Sequence, residues 1–440
     1  MRQREQLEAF NKLYAPGQYQ QAAESQVALK SSAKADPADL LTSLQAGTAF
    51  RYAQQLAQSN EQFDQAEAIL KYHNQQMLLG KTASSVGSIL VNDAVLDYSG
   101  TAYDGIMINT YKALNFWQQG DQQNARVEFN RALDRQRRAK EYFAQEIAKN
   151  RQAVAKKQAQ DGVNYQKNLD NPQIDRIIQK SYSNLDNFAA YPDFINPFTT
   201  YLAGLFFLHD GSYNKAADLL KEAYGMMPKQ AVIKDDFIHA QKLATGAHIT
   251  RKHTWVIFEN GMGPMKQEFR VDLPIFIFTR NLSYTGIALP KLTMQALAYP
   301  HVNVMLSPDK VYQTKTFASM DRVIQTEFKK QYPWIVSRAL LSAIVKTTAQ
   351  YYAQQGLGTW GGIAAGLMQL ATTAADLRIW SALPKEFQIA KVTTPKDGKL
   401  KIETPNQQSI VLELDPQKNH LLYLKIPMAN APIAYDLLTL

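Results

Sequence analysis

The sequence predicts a multidomain chain that is α-helical first and α+β after. A helical-repeat domain is expected over residues 1–250. An antiparallel β-rich, sandwich-like domain follows over 251–440, with a helical insertion at about 319–381. Three observations predict this. Apolar residues recur at helical spacing through the first 250 residues. Alternating, β-branched and aromatic stretches begin at "HTWVIFE". The 440 residues, 45% of them hydrophobic, exceed what one ordinary compact domain takes up.

The clearest helical unit is "YLAGLFFLHDGSYNKAADLLKEAYGMMP", residues 201–228. Gly204 and Phe207 share one helix, Asp210-Gly211 turns the chain, Ala216, Leu220 and Ala223 share a second helix, and Pro228 closes it. Small residues at 204 and 216 let the two helices approach, while Phe207 and Leu220 fill the groove beside them. This is the spacing of the tetratricopeptide helix–turn–helix. "YKALNFWQQGDQQNARVEFNRALDRQ" repeats it with Ala113, Phe116, Gly120-Asp121, Ala125, Phe129 and Ala132. "RYAQQLAQSNEQFDQAEAIL" is a third copy with Ala57, Ala66 and Leu70, and "LYAPGQYQQAAES" a weaker fourth. One such pair cannot bury its own apolar face, so the copies must stack. Between the two clear copies, "RALDRQRRAKEYFAQEIAKNRQAVAKKQAQDG" reads as a long charged helix. Arg131, Arg135, Arg138 and Lys149 give it a solvated basic face. Tyr142 and Phe143 are too few for a base-stacking platform, so no nucleic-acid partner is expected.

In the second domain "GIALPKL", "HVNVML", "FQIAKV", "KLKIET", "SIVLEL" and "HLLYLKI" read as strands, with "PKDG" and "DPQKN" as turns. "ENGMGP", residues 259–264, reads as a hairpin turn. Its glycines lead into Pro264 and a strand rather than a helix N-terminus, so it is no phosphate loop. Within the insertion no Asp, Glu, Lys or Arg falls between Lys346 and Asp376, and Gly358, Gly362 and Gly366 are spaced four apart. A buried, closely packed helix is expected there. A membrane-contacting or self-associating helix over 347–375 is the alternative.

Chemistry-bearing motifs are absent from the sequence. With no cysteine there is no disulfide, thiolate nucleophile or cysteine metal site. The seven histidines form no HExxH, and the Asp235/His239 pair reads as a surface contact. No GxSxG occurs. No catalytic residue, cofactor or metal is expected. The net charge of +9, from 48 basic and 39 acidic residues, is modest for this length. The chain opens on Met1-Arg2-Gln3-Arg4-Glu5-Gln6, a polar helix rather than an apolar leader.

Four segments together resemble a family of bacterial tetratricopeptide-like envelope lipoproteins. They are "VNDAVLDYSGTAYDGIMINTYKALNFWQQGDQQNARVEFNRALDRQ", "NPFTTYLAGLFFLHDGSYNKAADLLKEAY", "VIFENGMGPMKQEFRVDLP" and "ADLRIWSALPKEFQIAKV", spread over about residues 91–392. The resemblance implies a periplasmic, outer-membrane-anchored protein. Such proteins are often encoded beside small lipoproteins similar to activators of penicillin-binding proteins. It carries over no activity and no binding residue, and this chain has no lipid-bearing cysteine.

The expected function is a non-enzymatic periplasmic scaffold or adaptor. The repeats would present a concave surface to envelope proteins, small lipoproteins or the cell-wall synthesis machinery. Candidate protein-binding residues are Tyr111, Asn115, Arg126, Tyr201 and Lys215 on the repeats, and Glu259 and Asn260 at the turn. The alternatives are a cell-wall or lipid-acting enzyme with an interdomain site, and a membrane-contacting or oligomerising protein using residues 347–375.

Overall fold

The computed structural model describes residues 2–30, 36–78, 98–161, 196–278, 281–354 and 374–440, together with Pro172 and Arg176. Helices come first: α1 (Arg2–Tyr14), α2 (Tyr19–Val27), α3 (Leu40–Tyr52), α4 (Leu56–Leu78), α5 (Ala102–Gln118), α6 (Gln122–Asp161), α7 (Pro197–His209), α8 (Tyr213–Met226) and α9 (Ala231–Ala244). The strands begin at β1 (His253–Asn260), so the change from helix to strand falls where the sequence changes character.

The helices pack as antiparallel neighbours, α1 with α2, α3 with α4, α5 with α6 and α7 with α8. Local chemistry sets their ends. Thr101 and Asp104 form a reciprocal capping box at the start of α5. Asn196 caps α7, whose first residue is Pro197. Gly120 and Gly211 turn the chain at φ +76° and +80°. The small residue at 204 has the predicted purpose: a Cβ there would sit 2.9 Å from Leu220 Cγ. Gly47 plays the same part between α3 and α4, where a Cβ would meet the Phe63 ring at 2.7 Å.

Inner and outer helices differ in kind. From Pro197 to Leu208 every residue of α7 is buried, and α5 is buried from Tyr103 to Asn115. A helix apolar all round must be covered on all sides. By contrast α8 buries only Ala216, Leu220 and Ala223.

What covers the inner helices is the chain's own β region, which holds three sheets among the described residues. A five-stranded sheet has the order β11 (Ala434–Thr439), β10 (His420–Ile426), β1, β7 (Glu386–Thr393), β6 (Lys315–Ser319). A four-stranded sheet has the order β5 (Lys310–Gln313), β4 (Asn303–Ser307), β8 (Lys399–Glu403), β9 (Ser409–Glu413). A separate pair joins β2 (Met265–Phe278) to β3 (Asn281–Thr293), and α10 (Met320–Gln354) packs on it. One apolar cluster runs from Phe10 and Leu44 through Phe198 and Leu205 to Trp255, Phe387 and Tyr423, joining both halves. Phe198 of α7 and Phe387 of β7 stack with ring centroids 3.6 Å apart. A second cluster, including Val256, Phe258, Val304, Ile402 and Leu424, fills the space between the five- and four-stranded sheets, which makes the expected sandwich.

Three expectations are corrected. The stretch 259–264 is not a hairpin turn: β1 pairs with β10 and β7, whereas β2 pairs with β3. The segment crosses from one sheet to another because its backbone is engaged by neighbours. Gly261 N–H donates to Ile426 O at 3.0 Å and Gly263 N–H to Leu383 O at 2.7 Å. Second, the five-stranded sheet is mixed, since β1 and β10 run parallel; alternation specifies a face and not a direction. Third, the insertion is helical over Met320–Gln354, and residues 374–380 are not helical. The expectation for the Gly-rich stretch lies mostly on 355–373, outside the described residues. Among the described residues no helix is long and apolar enough to cross a membrane.

Candidate functional site

Two buried carboxylates tie the inner helices to the five-stranded sheet. The first is Glu259. Its position follows from the period of two along β1, where Trp255, Ile257 and Glu259 share one face. The parallel register sets Glu259 beside Lys425, with Tyr423 two residues earlier on the same face of β10. Both Glu259 and Lys425 are fully buried, with Lys425 Nζ 3.5 Å from Oε2. Lys425 also donates to Gly261 O at 3.2 Å. The remaining acceptor capacity of Glu259 is taken by phenols. Tyr111 OH donates to Oε1 at 3.0 Å, Tyr423 OH also donates to Oε1, and Tyr52 OH donates to Oε2.

Arg51 of α3 stands beside this cluster. It donates to Asn115 Oδ1 and to Asp436 Oδ2, each at 2.5 Å. Its guanidinium carbon lies 5.4–6.0 Å from the ring centroids of Tyr423, Tyr52 and Tyr111. Burial works against the Arg51 charge, but Asp436, Tyr52, Tyr423 and Glu259 together outweigh it and raise the guanidinium above its ordinary value. Burial pushes the Lys425 ammonium down to about 8 against the pull of Glu259. It also raises the phenols of Tyr52, Tyr111 and Tyr423, reinforced by the Glu259 charge. Above this cluster a surface cleft of about 450 Å³ is lined by Tyr52, Gln54, Gln118, Tyr435, Asp436 and Leu437.

The second carboxylate is Asp236 of α9, also fully buried. It accepts from Tyr201 OH at 2.7 Å, Trp255 Nε1 at 3.0 Å and Lys391 Nζ at 2.8 Å. Lys391 of β7 reaches Asp235 as well. The His209 and His253 rings flank Trp255, with centroids 5.0 and 5.9 Å away, and His239 lies 6.2 Å from His253. Burial and neighbouring positive charge lower His209 to about 3 and His253 to about 4. Among the described residues no group of three or more His, Cys, Asp or Glu is placed to hold a metal ion.

Of the sequence candidates, Tyr111, Asn115, Tyr201, Glu259 and Asn260 are buried and present no surface to a partner. Tyr111 and Glu259 bind each other, Asn115 holds Arg51, Ser59 and Asn60, and Tyr201 holds Asp236. Asn260 binds the segment at 298–299: its Nδ2 donates to Tyr299 O at 2.7 Å and its Oδ1 accepts from Ala298 N–H at 3.0 Å. The inner face of the repeats, expected to be open to a partner, is covered by the chain's own sheet. Arg126 and Lys215 lie instead on the outer side and remain accessible. Sequence reasoning missed Arg51, Tyr52, Tyr423, Lys425, Asp436, Asp236, Trp255 and Lys391. One signal was available: a charge inside an apolar strand, as in "VIFEN" and "HLLYLKI", needs a buried partner.

These elements define the chain as a paired-helix array closed by its own mixed sheet. No protein-family model matches it, and no curated protein sequence matches it. Among solved structures it is similar to a tetratricopeptide repeat protein from Parabacteroides merdae at 14% identity. That alignment covers 54% of this chain and 98% of the other, with a TM-score of 0.15. At that score the likeness carries no argument about fold or function.

Proposed function

We propose that the protein is a non-enzymatic scaffold or adaptor that binds protein partners through the outer surface of its helical array. One observation carries this reading: the groups with reactive potential are spent on holding the two halves together. Glu259, Lys425 and three tyrosines are buried and direct their donors and acceptors at one another. A helical array braced in this way presents its outer helices in a fixed arrangement, and preorganisation of that kind lowers the cost of binding. The periplasmic, outer-membrane-associated setting, and a link to cell-wall synthesis, belong to this proposal through the segment resemblance alone.

The test is capture from cross-linked envelope extract with identification by mass spectrometry. The adaptor reading expects one defined envelope protein, lost on charge reversal of outer-helix residues and retained on charge reversal in β9. Capture that is insensitive to both sets of changes, or enrichment of glycan or lipid alone, overturns it.

A second reading, an enzyme with an interdomain site, draws on the surface cleft. Tyr52 lines that cleft and its hydroxyl reaches Glu259. This reading expects turnover of cell-wall or lipid substrates that is abolished in Lys425→Met while the fold persists.

A further inference from the structure

The two sequence candidates that remain accessible come together. Arg126 lies on α6 and Lys215 on α8, and both cations stand over the buried ring of Phe207. Lys215 Nζ is 4.0 Å from the ring centroid and the Arg126 guanidinium carbon 5.8 Å. Side chains of the two helices reach toward each other from matching stripes. Arg126, Asn130 and Arg137 are four and seven residues apart on α6, and Lys215 and Glu222 are seven apart on α8, so each set lies on one helix face. Lys215 donates to the neutral amide of Asn130 across the seam.

Charge is unevenly matched here. Arg126 pairs with Asp210, whose carboxylate is turned inward, 9% exposed against 45% for the arginine. Asp210 also accepts from Ser212 Oγ at 3.1 Å. Arg137 has Asp134 at 3.6 Å, an acid it shares with Arg138. Among the described residues Lys215 has no carboxylate in ion-pair contact. Burial, Arg126 and Arg137 all lower its pKa, and Asp210 offsets them only in part. Two like charges are therefore held close on a rigid aromatic floor, an arrangement that an incoming anion relieves. The same two helices also carry acids at the surface, the partly exposed Asp134 on α6 and the exposed Glu222 on α8.

We propose that the seam between α6 and α8 docks an acidic segment of a partner protein, with Arg126 and Lys215 as its anchoring cations. This rests on the adaptor reading and supplies the chemistry of the partner. A peptide fits better than a lipid surface because the two cations share one ring and form a small site, while the surface acids Asp134 and Glu222 on the same helices would repel an extended anionic surface.

The experiment uses the full chain and a fluorescein-labelled ten-residue peptide of alternating Glu and Ala, followed by anisotropy at low and physiological salt. Wild type binds, with affinity falling as salt rises. The R126Q/K215Q double variant weakens binding at least tenfold. The R4Q/K12Q variant, with the same charge change on α1, stays within twofold. An unchanged melting temperature shows that both variants are folded. No binding by wild type, or equal weakening in the two variants, overturns the proposal. So does loss of binding to phosphatidylserine vesicles in R126Q/K215Q with peptide binding intact, which would make the seam a membrane contact. If the peptide fails while envelope capture persists in R126Q/K215Q, the seam is wrong and the adaptor reading stands. If wild type captures nothing, the adaptor reading itself fails.

Discussion

The two buried carboxylates do the same job from opposite sides. At the first, the acid is on the sheet: Glu259 of β1 receives Tyr52 and Tyr111 from the helices. At the second, the acid is on a helix: Asp236 of α9 receives Trp255 and Lys391 from the sheet. Each buried charge is paired with a lysine and each acid oxygen has phenol or indole donors, as burial requires. They differ in redundancy. Lys425 has no carboxylate other than Glu259 in ion-pair contact among the described residues, whereas Lys391 also holds Asp235, which is 64% exposed. The first junction is sealed and the second is open at one side.

The largest effect is expected where there is no redundancy. Glu259→Gln leaves the Lys425 ammonium buried without its counter-charge and should destabilise the protein by about 3–5 kcal/mol in denaturant titration. Lys425→Met in the same background should recover much of that loss, because it removes the unpaired charge. If Glu259→Gln costs less than about 1 kcal/mol, the first junction is not the tight anchor described. A smaller effect is expected at the second junction. Asp236→Asn keeps the hydrogen-bond acceptor and leaves Lys391 with Asp235, so a loss of about 1–3 kcal/mol is expected. Equal losses at the two sites would remove the contrast between them.

The same contrast explains what the sequence revealed. The helical pairs were legible because their contacts are local. Gly204 against Leu220 and the Gly211 turn fall within one stretch of fewer than thirty residues. Most strands were legible from their alternation, although β5, β6 and β11 were not identified. The junctions were illegible because their partners are distant in the chain. Glu259 meets residues at 52, 111 and 423, and Asp236 meets residues at 201, 255 and 391. A period says which face a residue lies on and nothing about what that face meets. For that reason Tyr111 and Tyr201 looked like surface aromatics when they are the donors of the two junctions. Arg126 and Lys215 lie on outer helices, which bury fewer of their residues.

Acid and alkali should separate the two junctions, with the smallest effects of the series. At the first, the phenols of Tyr52, Tyr111 and Tyr423 are raised by burial and by Glu259. In the unfolded chain they ionise near pH 10. Above that pH the unfolded state releases protons that the folded state keeps, so stability falls. Lys425 acts in the other direction below that point. Its folded value of about 8 lies under the unfolded value, so stability rises modestly from pH 8 toward 10. At the second junction His209 and His253 are neutral in the fold down to about 3 and 4. As pH drops below 6.5 the unfolded chain takes up protons that the folded chain refuses, so stability falls. Asp104 and Asp321, each raised by burial to about 6, oppose that loss between pH 6 and 4. The histidine contribution is therefore best read in a variant. Among the described residues His209 Nε2 has no hydrogen-bond partner, and its ring packs edge-on to Trp255, so His209→Phe keeps the packing and removes the titration. The stability difference between pH 7 and pH 5 should shrink by about 1–2 kcal/mol in that variant and stay unchanged in Tyr423→Phe. If His209→Phe leaves the acid limb as steep as in wild type, the histidines around Trp255 do not set the acid response of the second junction.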